Sequence, residues 1–142
     1  MTSVHFSSKS NEWPTPRDFY EKYHEKYRFT LDVAATKENA LCTRFFTEED
    51  NALIQDWSGE VCWMNPPYGR EIKKFMRKAY EESLNGTTIV CLVPSRTDTF
   101  WWHEYAMKGE IESIRGRLKF GGYKTSAPFP SAVVVFNGEK YQ

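Results

Sequence analysis

The sequence has no Cys-x-x-Cys pair, and its three cysteines, Cys42, Cys62 and Cys91, stand far apart. An odd, scattered set excludes a disulfide framework and a cysteine-based zinc site. Cys62 and Cys91 fall in apolar runs and read as reduced core residues. His5, His24 and His103 show no metal-ligand spacing, so no metal is expected. A P-loop and a Ser-centred nucleophile elbow are both missing, which removes two common catalytic signatures. Net charge is missing too: Lys plus Arg and Asp plus Glu number 19 each. Broad non-specific nucleic-acid binding driven by counterion release is therefore excluded, whereas a local basic face is not. The first residues, Met1 to Phe6, form no apolar signal region, and no run reaches membrane-spanning length. The expected compartment is the cytoplasm.

Aromatic residues are abundant, at 16% of 142 residues. That is more flat apolar surface than a core of this size needs, and part of it is available to stack on a ligand or a base. The length suits one domain, with residues 1–12 as a loose polar lead-in and 13–142 as the domain. Trp13-Pro14-Thr15-Pro16 reads as a rigid turn in which Thr15 caps a helix over Arg17 to Tyr27. Further helices are predicted over Arg70 to Leu84 and Thr99 to Met107, with one or two helical turns from Lys37 to Cys42. Strands are predicted at Phe29–Ala34, Arg44–Phe46, Val61–Met64, Thr87–Val93, Ile111–Ile114 and Ser131–Phe136. Alternation of strand and helix implies an α/β fold with a mostly parallel sheet, its last two strands pairing antiparallel. Loops at the carboxyl ends of parallel strands then gather the chemistry at one edge. The segments after Leu31, Trp63 and Val93 are placed there.

Asn65-Pro66-Pro67-Tyr68 follows an apolar strand and precedes a helix. The exocyclic amine of a nucleobase is a poor nucleophile because its lone pair is delocalised into the ring. An Asn side-chain oxygen and a neighbouring backbone carbonyl can each accept one of its N–H groups and so direct the lone pair outward. Consecutive prolines fix φ and remove backbone donors, which presents those acceptors rigidly. An adjacent aromatic ring, Tyr68, can hold the base plane. Catalysis of this kind is mostly positioning. A stiff turn after a strand would show the same four residues.

Asp32, followed by Val33, Ala34 and Ala35, is a candidate for the methionine part of S-adenosylmethionine, with Ala34 allowing close backbone approach; a helix-capping Asp has the same look. Asp56 is a candidate for the adenine amine of that cofactor, and Glu48, Glu49 or Asp50 for its ribose. Arg96 can reach a phosphate or brace loops by an ion pair. Arg70 opens a basic cluster with Lys73, Lys74, Arg77 and Lys78, a pattern shared by solvated and phosphate-facing helices. Arg115, Arg117, Lys119 and Lys124 mix with Gly and aromatic residues up to Pro130, as in a DNA-contacting loop or an ordinary Gly-rich connection.

These segments together resemble the phage-type DNA N-6-adenine methyltransferases, a compact Dam-like family. The resemblance runs from Trp13 to Phe136. It rests on Trp13-x-Thr15-Pro16, Leu31-Asp32-Val33-Ala34-Ala35, Asn39-Ala40-Leu41-Cys42, Phe46 to Leu53, Asp56-Trp57, Asn65-Pro66-Pro67-Tyr68-Gly69-Arg70, Pro94-x-Arg96-Thr97-Asp98-Thr99, Arg115-Gly116-Arg117-Leu118 and Ala127-Pro128-Phe129-Pro130. It implies a minimal Rossmann-like class I methyltransferase fold, S-adenosylmethionine as donor and adenine N6 in DNA as acceptor. It also implies a catalytic role for Asn65 to Tyr68, and a place at the cofactor for Asp32, Thr15 and Pro16. The glycine-rich cofactor loop of larger adenine methyltransferases is replaced here by Ala34-Ala35. Specificity is expected from loops such as Arg115 to Pro130 or from a partner subunit. A duplex substrate requires a flipped adenine and a filler group, for which Trp101, Trp102 and Tyr123 are candidates. The residues by themselves leave two alternatives: methylation of RNA or a protein Gln, and a non-catalytic DNA-binding protein that retains the fold.

Overall fold

A computed structural model describes residues 13–141 of the chain. The expected lead-in, residues 1–12, and His5 within it lie outside the described residues. Helix α1 (Arg17–Tyr27) forms over the predicted range and buries Tyr20 and Tyr23. Both rings pack on Trp63, with centroids 5.4 and 6.2 Å away. Arg28 ends the helix in the left-handed region, φ 55°, returning its N–H to His24 O. Thr15 does not cap this helix. Pro16 occupies the cap position without a side-chain bond, because the Thr15 hydroxyl is already engaged by two side-chain donors from elsewhere.

Strands β1 (Leu31–Asp32), β2 (Val61–Met64), β3 (Thr88–Pro94), β4 (Glu110–Ser113) and β5 (Ser131–Phe136) make one sheet in the order β1-β2-β3-β5-β4. The first three run parallel, and β5 lies antiparallel to both β3 and β4. With α1, α2 (Ile72–Ser83) and α3 (Phe100–Glu104), this is a small α/β domain with a mixed sheet and three helices among the described residues. The apolar runs Ile89–Val93 and Ala132–Val134 are fully buried. A strand covered on both faces has no need of polar alternation. At the edge, β4 is exposed throughout and carries Glu110 and Glu112, charges that discourage pairing with another chain.

Several elements are shorter than the local pattern predicts. The strand at Phe29–Ala34 reduces to two ladder residues, flanked by bonds from Thr30 N to Val61 O and Val33 N to Trp63 O. Arg44–Phe46 forms only one bridge, from Phe45 to Asp32. Lys37 to Cys42 is a turn, not a helix. Thr36 and Asn39 exchange side-chain bonds with each other's backbone N–H, which competes with helical pairing. Helix α3 is capped by Thr99 and stops at Glu104, giving way to a 3-10 turn at Ala106–Lys108.

Helix α2 buries Ile72, Met76, Ala79 and Ser83 along one face. On its outer face Lys74 and Arg77 pair with Glu71 and Glu81, and the largely covered Lys78 pairs with Glu82. Much of the basic cluster there is thus internally neutralised. Behind the helix, a Cβ built on Gly138 would lie 2.3 Å from the carbonyl carbon of Gly86 and 2.4 Å from Thr87 O. Gly138→Ala is expected to cost about 2 kcal/mol. Urea unfolding checks it, and an unchanged midpoint would show that the two backbones can part.

Candidate active site

The parallel strands β1 and β2 deliver their carboxyl ends side by side, since Asp32 pairs with Trp63 in the ladder. A cleft of about 630 Å³ opens there, within the usual range for small-ligand sites. Asp32, Ala34, Thr15, Trp63, Asn65 and Pro67 all contribute to its wall. Among the described residues, the carboxylates of Asp32, Glu38, Glu48, Glu49 and Glu71 line it against a single cation, Lys37. Such a site favours a positively charged ligand.

Asp32 is only 3% exposed. Its two oxygens accept from Ala34 N at 3.3 Å and Leu41 N at 3.1 Å, so it does not cap a helix. Burial raises its pKa from 3.8 to about 6, against the lowering effect of the two backbone bonds. No ion pair compensates it among the described residues. A buried carboxylate without a cation is a site for one supplied by a ligand.

Asn65 follows β2 directly. Its Nδ2 donates to Trp13 O at 2.5 Å and to Thr15 Oγ1 at 3.0 Å. The Oδ1 atom is buried and has no hydrogen-bond partner among the described residues. Both donor positions of the amide are thus spent on the protein, and its acceptor is kept unspent. Pro66 is buried and Pro67 half-buried.

Tyr68 is placed differently from the expectation that its ring faces a base. It is 1% exposed, donates its hydroxyl to Leu92 O at 3.0 Å, and meets Phe129 and Phe120 edge-on at 5.7 and 6.3 Å. Both phenyl groups belong to the 115–130 loop. That loop is also tied to the segment before α1, through Gly121 N to Pro14 O at 2.9 Å and Tyr123 stacked on Trp13 at 4.6 Å. The loop therefore seals Tyr68 and rests on the residue whose carbonyl holds Asn65.

Asp56 is not brought to the cleft. It is exposed and closes the turn before β2 by accepting from Ser58 N and Ser58 Oγ, bonds that lower its pKa. Glu48 and Glu49 do line the cleft, and Asp50 instead binds Thr47 N and Oγ1. Pro16 begins α1 beside the wall formed by Pro14 and Thr15. Arg70, Arg115, Arg117, Lys119 and Lys124 are exposed and Arg96 is half-buried. None of the six forms an ion pair among the described residues, unlike Lys74, Arg77 and Lys78 of α2. Trp101 and Trp102 are buried, which leaves Tyr123 as the more accessible filler candidate. His24 Nδ1 accepts from Phe29 N at 3.0 Å, a structural role. No group of three His, Cys, Asp or Glu gathers to hold a metal among the described residues.

Trp13 and Trp63 are the site residues that local reading missed. Trp63 sits in an apolar strand and looks like core, yet its Nε1 donates to Thr15 Oγ1 at 3.2 Å. The available signal was a buried indole, which needs an acceptor for its N–H.

A carboxylate-lined cleft thus opens at the ends of the parallel strands, with an Asn-Pro-Pro-Tyr turn at its rim. The model of the DNA N-6-adenine-methyltransferase (Dam) family matches residues 2–138, and the chain belongs to that family. It is 35% identical over 94 residues to a protein of Escherichia phage T1 named DNA N-6-adenine-methyltransferase, covering 65% of this chain and 39% of that one. It is 35% identical over 98 residues to the protein of the same name from Haemophilus phage HP1 (strain HP1c1), covering 67% of this chain and 56% of the relative. The aligned part thus spans about half or less of the length of these curated relatives.

Proposed function

We propose that this chain is an S-adenosylmethionine-dependent methyltransferase acting on the N6 amine of adenine in DNA, built as a single Rossmann-like class I domain over residues 13–142. The observation that carries this reading is the Asn65 amide, with both N–H groups committed to the protein and Oδ1 left without a partner among the described residues, beside an acidic cleft. An acceptor-only atom at a rigid Pro-Pro turn suits an amine that must have its protons held. Three adjacent parallel strands with ligand-sized space at their carboxyl ends support the class I reading.

The cleft fits the implied cofactor: its size, its excess of carboxylates and the buried Asp32, without an ion pair among the described residues, all favour a cationic ligand. S-adenosylmethionine, when bound, supplies an electrophilic methyl group. Asp32 offers its carboxylate to the cationic part of the ligand, and Ala34 and Ala35 keep the wall low. Asn65 Oδ1 accepts one amine N–H and the adjacent backbone carbonyl the other, turning the lone pair toward the cleft. The nitrogen is acidic once alkylated and releases its proton to water, so no strong base is required. Tyr68 braces the turn from beneath through its bond to Leu92 O. The exposed cations of the 115–130 loop hold the DNA backbone, in the cytoplasm.

Transfer of labelled methyl to duplex DNA, followed by nucleoside analysis, tests the reading. The expected product is N6-methyladenosine in the deoxy form. Label appearing only in RNA or in protein Gln would redirect the acceptor, and failure to bind S-adenosylmethionine in calorimetry would leave a non-catalytic DNA-binding protein. The loop adds a further expectation. Arg117→Ala with Lys119→Ala should raise the KM for DNA about tenfold at unchanged kcat, and lower the salt slope of binding by roughly two. An unchanged slope would remove the loop from the interface.

A further inference from the structure

We infer that Thr15 is a positioning residue for Asn65: with Trp63 behind it and Trp13 beside it, it fixes which end of the Asn65 amide faces the acceptor base. The inference rests on reading Asn65 as the group that accepts the amine protons.

An Asn amide can rotate half a turn about its last bond at little steric cost, exchanging an acceptor for a donor. In the rotated state Asn65 would present N–H groups to an amine that itself offers N–H groups, and no lone pair would be directed. Something must choose the orientation. Trp13 O is acceptor-only and lies 2.5 Å from the terminal amide atom, so that atom is the nitrogen; an oxygen there would face an oxygen. Thr15 Oγ1, 3.0 Å from the same nitrogen, takes its other proton.

A threonine hydroxyl alone is an ambiguous guide, because it can donate as well as accept. Trp63 narrows that choice. Its indole N–H is donor-only and lies 3.2 Å from the same Oγ1, so the hydroxyl oxygen is turned toward donors on both sides. Trp63 is fully buried and is wedged among Tyr20, Tyr23 and Phe29 at centroid distances of 5.4, 6.2 and 5.4 Å. The aromatic packing of α1 on β2 thereby reaches the Asn65 amide through a single hydroxyl. This assignment differs from the cofactor contact implied for Thr15 by the family resemblance.

The test compares Thr15→Val, which keeps the shape and removes the acceptor, with Thr15→Ser, which keeps the acceptor. Thr15→Val is expected to lower kcat about 30-fold, the size of one misdirected charge-shifting hydrogen bond, while the Kd for S-adenosylmethionine stays within about threefold. Thr15→Ser should recover most of the rate. Unchanged kcat in Thr15→Val, or a loss that follows weakened S-adenosylmethionine binding, would overturn the assignment. A second readout does not depend on activity. By NMR, the two side-chain amide protons of Asn65 should exchange slowly in the wild type and in Thr15→Ser, and at least about tenfold faster in Thr15→Val. Equal exchange in all three overturns the clamp. Wild-type protein that transfers no methyl, yet shows this exchange pattern, would defeat the functional reading and leave the clamp standing.

Discussion

Asn65→Ala is expected to reduce methyl transfer to DNA by on the order of 10³-fold while the affinity for S-adenosylmethionine changes little. The expected split follows from the atoms involved. Oδ1 has no partner among the described residues, so on the proposed reading its removal deletes an interaction kept for the acceptor amine. The variant also strips donors from Trp13 O and Thr15 Oγ1, and a modest loss of stability, about 1–2 kcal/mol, should accompany it. Measuring both thermal unfolding and single-turnover transfer separates the two effects. Asn65→Gln sharpens the test, because it keeps the amide and moves it by one methylene. A displacement of that size should still cost about 10²-fold if positioning carries the catalysis. Full activity in either variant would remove Asn65 from the mechanism.

The second large effect concerns Asp32. Its carboxyl titrates at about 6 in the folded chain, raised from 3.8 by burial. The ionised form is the one that attracts a cation. Affinity for S-adenosylmethionine should therefore fall about tenfold per pH unit as pH drops below 6, and level off above it. Asp32→Asn should weaken binding roughly 50-fold at neutral pH and abolish that pH dependence.

Stability of the ligand-free protein moves the other way. A carboxyl whose folded pKa lies above its unfolded value binds its proton more tightly when folded. Its cost is absent below pH 3.8, grows through the interval, and is complete above pH 6, at roughly 3 kcal/mol. Relative to Asp32→Asn, the wild type should gain up to that amount on going from pH 7 to pH 4. At neutral pH the variant itself gains little, because one end of an Asn amide must oppose the N–H of Ala34 or Leu41. Denaturant unfolding at both pH values measures the difference. Isothermal calorimetry across the same range gives the binding limb, and a flat binding profile in the wild type would take Asp32 out of the ligand site.

Both predictions depend on a site whose parts were unequally legible in the sequence. The aromatic spacing of Arg17 to Tyr27 placed α1 correctly because the same residues that favour a helix also pack it on Trp63. The Asn-Pro-Pro-Tyr turn was equally readable, since two prolines end a strand whatever surrounds them. Lys37 to Cys42 misled because helical spacing there competes with a side-chain exchange between Thr36 and Asn39. Asp56 misled for a related reason. An acid before a strand can face a ligand or close its own turn, and Ser58 two residues on decided for the turn.

Tyr68 and Thr15 were beyond local reading altogether. The sequence places an aromatic ring after the prolines, but whether it meets a base or the core depends on Phe120 and Phe129, more than 50 residues away. Thr15-Pro16 has every mark of a helix cap, yet the hydroxyl is drawn off by Trp63 and Asn65, 48 and 50 residues distant.

By itself the sequence determined the strand-turn-helix around Asn65, the acidic residue at the end of the first strand and the family, because each depends on residue types at short spacing. Only the tertiary structure decided that Asp32 and Asn65 share one cleft, that Asn65 keeps its oxygen unspent, and that Thr15 guards its orientation. Those are matters of which donor finds which acceptor once distant segments are packed together. A hydroxyl or an amide carries no record of that choice in its own neighbourhood.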